Sequence, residues 1–111
     1  MKVAVIGSRN INHADISRYI PPDTDMIISG GASGIDALAE KYADKKGIPK
    51  KIIYPDYELY GKDAPLIRDK LIVDMADFII AIWDGKSGGT SFTVNYARRR
   101  NVPVEVYIID R

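Results

Sequence analysis

Five short apolar runs alternate along the chain with stretches whose apolar residues recur at helical spacing. The runs cover residues 3–6, 26–28, 52–54, 78–83 and 102–109. Runs that are apolar at consecutive positions are typical of strands buried on both faces of a sheet. The last run contains Pro103 and Glu105, which favour a position at the edge of the sheet.

Helical periodicity fills the stretches between the runs. Ile35, Leu38 and Ala39 begin an amphipathic pattern that continues to residue 43, and Ser33 and Gly47 are its expected start and end signals. Two further helices are expected over residues 65–76, with Pro65 in the first turn, and over residues 90–100. A short helix is expected over residues 14–20, and a loop over residues 56–63.

Alternation of strands and helices predicts the fold class. Strands that are apolar on both faces and separated by helices form a parallel sheet covered on both sides. We therefore expect an α/β protein, a Rossmann-like doubly wound domain with a five-stranded parallel sheet in the order 3-2-1-4-5 and helices on both faces. We expect residues 1–111 to form a single domain, because this length suits one hydrophobic core.

The composition of the chain limits the kinds of functional site that it can form. The chain has no cysteine and one histidine, His13, which excludes disulfides, thiolate catalysis, and cysteine-based or histidine-rich metal sites. No apolar stretch approaches the length of about 20 residues that a membrane helix needs. The start of the chain leads directly into a strand, so no signal peptide is expected, and we predict a cytoplasmic protein without a membrane partner.

Three loops of small residues are expected to leave the carboxyl ends of the strands, where ligands bind in such sheets. Glycines let backbone N–H groups approach an anion, helix N-termini favour negative charge, and arginine suits phosphate. Turn geometry explains any one loop, but three at the same end of a sheet predict a phosphate-binding site. The candidate residues in these loops are Gly7, Ser8, Arg9, Gly30, Gly31, Ala32, Ser33, Gly34, Gly88, Gly89, Thr90 and Ser91.

Further side chains near these loops each have a structural and a functional interpretation. Asp36 either stabilises the first turn of a helix or bonds a ribose hydroxyl, and Asp84 either stabilises a turn or serves as a site acid. A tyrosine group after the third strand, at positions 54, 57 and 60, either packs or stacks on a base. The loops match neither the G-x-G-x-x-G fingerprint nor a Walker A sequence, so we expect no NAD, FAD or P-loop ATP hydrolysis.

Several segments occur here in the same order as in a known superfamily. They are Val5-Ile6-Gly7-Ser8-Arg9, Ser29-Gly30-Gly31-Ala32-Ser33-Gly34-Ile35-Asp36, Arg68-Asp69, Ala76-Asp77 and Ser87-Gly88-Gly89-Thr90. In this set the chain resembles the SLOG superfamily, which includes the DprA (Smf) DNA-processing proteins and the LOG phosphoribohydrolases. It is most similar to the small stand-alone DUF2493 or YspA-like group. The resemblance covers nearly the whole chain.

The resemblance implies a nucleotide-type ligand and adds Arg68 to the candidate site residues. The neighbour of that arginine is often asparagine in the small members, whereas this chain has Asp69, which cannot donate a hydrogen bond when ionised. The LOG enzymes carry a catalytic glutamate where this chain has Thr93, and a hydroxyl cannot stabilise an oxocarbenium-like transition state as a carboxylate does. No catalytic residue is therefore assigned, and whether the chain is an enzyme stays open.

Three functions follow from these observations. The first is binding or sensing of a nucleotide or nucleotide-derived ligand, which a Mg²⁺ ion can accompany. The second is an enzyme acting at the N-glycosidic or phosphate bond of a nucleotide, and the third is DprA-like binding of single-stranded DNA. The net charge of +1 disfavours nucleic acid without excluding it, since the one basic cluster, 98–100, also suits a helix C-terminus. Phe92, Tyr96 and Tyr107 are candidates for a homodimer interface.

Overall fold

Parallel pairing joins all five strands into one sheet. In the computed structural model, which describes residues 1–109, the strand order is β3-β2-β1-β4-β5 and every pair is parallel. The predicted α/β class, strand order and Rossmann-like winding are thereby confirmed. The strands are β1 (Lys2–Gly7), β2 (Met26–Ser29), β3 (Lys50–Ile52), β4 (Phe78–Trp83) and β5 (Val104–Ile108).

Helices cover both faces of the sheet, because alternate side chains of the central strands point to opposite sides. Val3 and Val5 pack with the helix α1, whereas Ala4 and Ile6 pack with α3 and α4. These four side chains are buried. The helices are α1 (Ile35–Lys46), α2 (Tyr57–Tyr60), α3 (Ala64–Met75) and α4 (Gly88–Arg99).

Helix ends follow local chemistry. Gly47 ends α1 in the left-handed conformation with φ of 69°, as expected for a glycine after a helix. Pro65 lies in the first turn of α3, where its missing N–H costs no helical hydrogen bond. Ser33 was expected to cap α1, and this was wrong: Gly34 is the N-cap, and the Ser33 hydroxyl donates to the carbonyl of Arg9 (3.3 Å).

The segment predicted as a helix over residues 14–20 is only a 3₁₀ turn, Ile16–Arg18. Asp15 caps it by accepting from the Ser17 N–H (3.2 Å), and Ile16 is its one buried residue. A single buried side chain cannot fix an amphipathic face, and helices of this length have little stability of their own. Pro21 follows closely and prevents extension.

The bounds of other elements differ from the predicted ones by a few residues. The third strand covers Lys50–Ile52 rather than the predicted residues 52–54, because β3 is an edge strand and exposed lysine side chains are compatible with it. The expected loop over 56–63 contains α2 and a 3₁₀ turn, Gly61–Asp63. Helix α4 begins at Gly88, two residues before its predicted start. The edge position of β5 is confirmed, and Glu105 is exposed there.

No helix within residues 1–109 is both long enough and apolar enough to cross a membrane.

Candidate functional site

An open cleft of about 250 Å³ lies at the carboxyl ends of the strands, beside the point where β1 pairs with β4. Sheets of this topology bind their ligands there, because adjacent connections diverge to opposite faces. Four segments form its walls: the end of β1, the loop before α1, the first half of α3 and the start of α4. The lining residues are Ile6, Gly7, Arg9, Asn10, Ala32, Asp36, Arg68, Asp69, Ile72, Ser87, Gly89, Thr90 and Thr93.

The start of α4 borders this cleft through Gly89, whereas the adjacent Gly88 lines neither this cleft nor the second one described below, and the fold requires neither glycine. Gly88 and Gly89 have no positive φ, and a Cβ atom built on either would meet nothing within 4 Å. Ser87, the N-cap residue, makes no side-chain cap hydrogen bond. The first N–H groups of a helix lack intrahelical acceptors and carry partial positive charge. An anion can therefore reach the α4 amides without a side chain in its way.

Thr90 presents a hydroxyl to the same region. Thr90 is only 6% exposed, and its hydroxyl makes no hydrogen bond within residues 1–109. Every fully buried side-chain N or O atom in that range has a hydrogen-bond partner. The Thr90 oxygen is therefore accessible, and the cleft that this residue lines is where a ligand can reach it.

Arg9 stands at the cleft mouth as an exposed cation. Its side chain lines this cleft and a second one of about 400 Å³ beside it. Arg9 forms no ion pair with the carboxylates of residues 1–109. Its guanidinium is therefore available to an anionic group.

Arg68 is a buried arginine with its own partners. It is 6% exposed; its Nε donates to the Asp69 carboxylate (2.7 Å), and its guanidinium donates to the carbonyl of Gly30. A Cβ on Gly30 would lie 2.9 Å from the Arg68 guanidinium, so glycine there lets the guanidinium approach the backbone. Arg68 therefore ties α3 to the loop before α1 and forms part of the wall of both clefts.

Asp36 is buried at the base of the cleft, in the first turn of α1. Its carboxylate accepts from the Ala32 N–H (3.2 Å), which fixes the glycine-rich loop. Burial raises the pKa of Asp36 to about 6, against the opposing effects of that N–H and of the Arg68 charge. The residue thus serves the loop and also presents a carboxyl group to the cleft.

Asp69 places a second carboxyl group in the same cleft. Burial raises its pKa, while the charge of Arg68 and the hydrogen bond from Arg68 oppose that rise. Thr93 is buried, and its hydroxyl donates to the Gly89 carbonyl (2.9 Å). The cleft therefore contains two acids and a buried guanidinium, and the charge of Asp69 contributes to the raised pKa of Asp36.

Ser8 and Asp84, both predicted site residues, lie outside the walls of the two clefts. The buried Ser8 hydroxyl accepts from the Asp84 N–H (2.9 Å) and contacts the Ser87 hydroxyl (3.3 Å). The Asp84 carboxylate accepts from the N–H groups of Lys86 (2.8 Å) and Ser87 (3.0 Å), which lowers its pKa to about 2. Together Ser8 and Asp84 fix the loop that precedes α4.

Three of the predicted glycines are required by packing. A Cβ on Gly7 would lie 2.0 Å from the Ile82 carbonyl oxygen, although Gly7 also lines the first cleft. A Cβ atom on Gly34, which has a φ of 74°, would lie 2.3 Å from the Ser8 carbonyl oxygen. A Cβ atom on Gly31, which has a φ of 72°, would lie 2.5 Å from the Tyr54 ring. These glycines let the loops approach one another.

The remaining predicted residues divide between the two clefts. Ala32 lines both, whereas Gly30 and Ser33 line the second one only. Ser91 is half-buried in the first turn of α4 and lines neither. The sequence reasoning missed Asn10 as a wall residue, and its position next to Arg9 was the available signal. Thr93 was likewise not predicted as a wall residue, since in the sequence it stands out only as a departure from a motif.

Comparisons with protein-family models, with curated proteins and with solved structures gave no match to this chain. Within residues 1–109, no group of three acidic or histidine side chains is placed to hold a metal ion.

Proposed function

We propose that this protein binds a nucleotide or a nucleotide-derived ligand, with a phosphate group at the start of α4. The observation that carries the proposal is the Gly88-Gly89 pair, whose lack of side chains the fold does not use. Glycine at these helical positions lowers helix stability relative to alanine, so a different reason for its presence is needed. Access of an anion to the α4 amides is such a reason.

The charges of the cleft support the same ligand class. The charge of Arg68 is compensated by Asp69, which forms an ion pair with it. Of the cations that line the cleft, Arg9 is then the one without an ion-pair partner among the described residues, and it lines the cleft together with Gly89 and Thr90. A guanidinium and a helix N-terminus together favour a phosphate group over a neutral ligand. The SLOG resemblance agrees with this proposal and remains a prediction.

Calorimetric titration with nucleoside mono-, di- and triphosphates, ADP-ribose and cyclic dinucleotides, each with and without Mg²⁺, tests the proposal. One class should bind, and Arg9→Ala should weaken it about tenfold or more, as expected for loss of a charge-assisted contact. Arg98→Ala is the matched control, since Arg98 is exposed at the far end of α4.

Gly89→Ala separates ligand access from folding. The added methyl group meets no protein atom, so the variant should fold as well as the parent while binding the nucleotide more weakly. Asn95→Ala, at an exposed position of the same helix, should leave binding unchanged. Unaltered nucleotide affinity in Gly89→Ala would count against the α4 site.

The second candidate function is an enzyme acting at the N-glycosidic or phosphate bond of that nucleotide. The specific observation is the pair of buried carboxyl groups, Asp36 and Asp69, which line one cleft and have raised pKa values. A carboxyl group whose pKa is about 6, as for Asp36, can donate or accept a proton near neutral pH, and Asp69 lies in the same cleft. Release of base or phosphate from the bound nucleotide, lost in Asp36→Asn and in Asp69→Asn, would favour this function over binding alone.

A further inference from the structure

The second cleft adjoins the first and has a different chemical character. The two share Arg9, Ala32 and Arg68 as wall residues. The outer wall of the second cleft is aromatic, since Tyr54 and Tyr57 line it. A ligand that fills both clefts would therefore place its anionic part near α4 and its other end beside two tyrosine rings.

Tyr54 is held in place although most of it faces solvent. Its ring carbons Cε1 and Cδ1 lie 2.5 and 2.8 Å from the Cβ position of Gly31, so the ring contacts the backbone of that glycine. The side chain is nevertheless 66% exposed. The glycine-rich loop thus supports the ring from below and leaves much of its surface open to the cleft.

Tyr57 is carried by α2, a short helix that contributes no buried residue to the core. The Asp56 carboxylate caps this helix by accepting from the Leu59 N–H (3.1 Å), and the Asp56 carbonyl accepts from the Tyr60 N–H (3.0 Å). The Tyr57 side chain is 58% exposed. The segment is therefore ordered by its own hydrogen bonds while presenting a large aromatic side chain to water.

We infer that the planar base of the nucleotide stacks against Tyr54 and Tyr57 in the second cleft, with Arg9 between the base and the phosphate. This inference rests on the proposed function, because it assumes the phosphate at α4. Exposed tyrosine rings lining a cleft are stacking platforms for bases, and stacking is tolerant of base identity. The site should therefore distinguish nucleotides from sugar phosphates more strongly than it distinguishes one base from another.

Titration of the full chain with AMP, GMP, ribose 5-phosphate and inorganic phosphate tests the inference. AMP and GMP should bind about tenfold or more tightly than ribose 5-phosphate, which has the same sugar and phosphate but no base. Tyr57→Ala should remove most of this preference while leaving the affinity for ribose 5-phosphate unchanged. Leu59→Ala is the matched control, because Leu59 lies on the same helix, is 67% exposed and lines neither cleft.

The outcomes separate the two proposals. Equal affinities for AMP, GMP and ribose 5-phosphate, all weakened by Gly89→Ala, would overturn the stacking inference and leave the phosphate site intact. A base preference that survives both Tyr57→Ala and Tyr54→Ala would also overturn it. Failure of these four probes and of the larger nucleotides named above to bind would overturn the proposed function and this inference together. Thermal melting of each variant verifies that a loss of binding is not a loss of folding.

Discussion

Single residues at this site have two kinds of role that the sequence alone does not distinguish. Gly31 and Gly89 both follow a strand in a loop of small residues, yet their surroundings differ. Gly31 has a positive φ and contacts the Tyr54 ring, whereas Gly89 has neither constraint. Ser8 was grouped with Arg9 as a ligand contact, but its hydroxyl is used by the Asp84 N–H. Which group a side chain bonds depends on tertiary neighbours, and those are absent from local sequence.

The two glycines should therefore respond oppositely to alanine. Gly31→Ala should lower the free energy of unfolding by roughly 1–3 kcal/mol, because alanine is strained at positive φ and its methyl group meets Tyr54. Gly89→Ala should leave it unchanged or raise it by up to about 1 kcal/mol, as alanine favours helices. Urea unfolding of the three proteins measures both values, and equal destabilisation by the two substitutions would contradict this assignment.

Asp36 should make stability depend on pH. Its pKa is about 6 in the folded protein and 3.8 ordinarily, so the folded state holds this proton more tightly than the unfolded chain does. Ionisation of Asp36 therefore lowers the free energy of unfolding as pH rises from about 4 to about 6. Relative to Asp36→Asn, the wild type should lose on the order of 2 kcal/mol across that window.

Chemical denaturation of both proteins at several pH values measures this difference. Asparagine keeps an oxygen acceptor for the Ala32 N–H, which makes it a suitable control for the hydrogen bond. A pH dependence that is the same in both proteins would assign the effect to other groups.

At the scale of elements, the loop after β4 is positioned by a hydroxyl from the loop after β1. Ser8→Ala should cost roughly 1–3 kcal/mol, because the Asp84 N–H loses its buried acceptor. It should also weaken nucleotide binding, since Asp84 and Ser87 set the start of α4. The matched control is Ser17→Ala at an exposed position, which should change little. Calorimetry and urea unfolding give the two readouts; unchanged stability would contradict the role of Ser8.

Elements were predictable to the extent that they bury apolar residues. The runs that form β1, β2 and β4 are buried, and so they carried a clear signal. The start of β3 was missed because Lys50 and Lys51 lie on an edge strand, and α2 was missed because it buries nothing. For the same reason the aromatic wall of the second cleft was recognisable only as a group of tyrosines with two readings.

At the scale of the whole molecule, the basic cluster and the clefts are separate. Gly88 and Arg99 are the first and last residues of α4, so they lie about 16 Å apart along the helix. Arg100 forms an ion pair with Asp74 (3.3 Å) and lies over the Tyr96 ring. Tyr96 and Phe92 stack on each other, and Tyr107 packs on Tyr19, so the three aromatics considered for self-association all have partners within the chain.

Joint replacement of Arg98 and Arg99 by alanine should therefore leave nucleotide affinity within about twofold, because screened charges at this separation interact weakly. Binding to a single-stranded oligonucleotide at low salt, if it rests on this cluster, should fall in the same variant. Calorimetry and fluorescence anisotropy measure the two affinities. A tenfold loss of nucleotide affinity would mean that the cluster belongs to the site.

The walls of the first cleft come from residues 6–36 and 68–93, which lie in opposite halves of the chain. β1 joins these halves, because it pairs with β2 on one side and with β4 on the other. During synthesis the site cannot exist until the last part of α4 has left the ribosome and β4 has inserted beside β1. A ligand of this cleft would thus act only after both halves have folded: it would slow their unfolding, but it could not guide the assembly of the half that is made first.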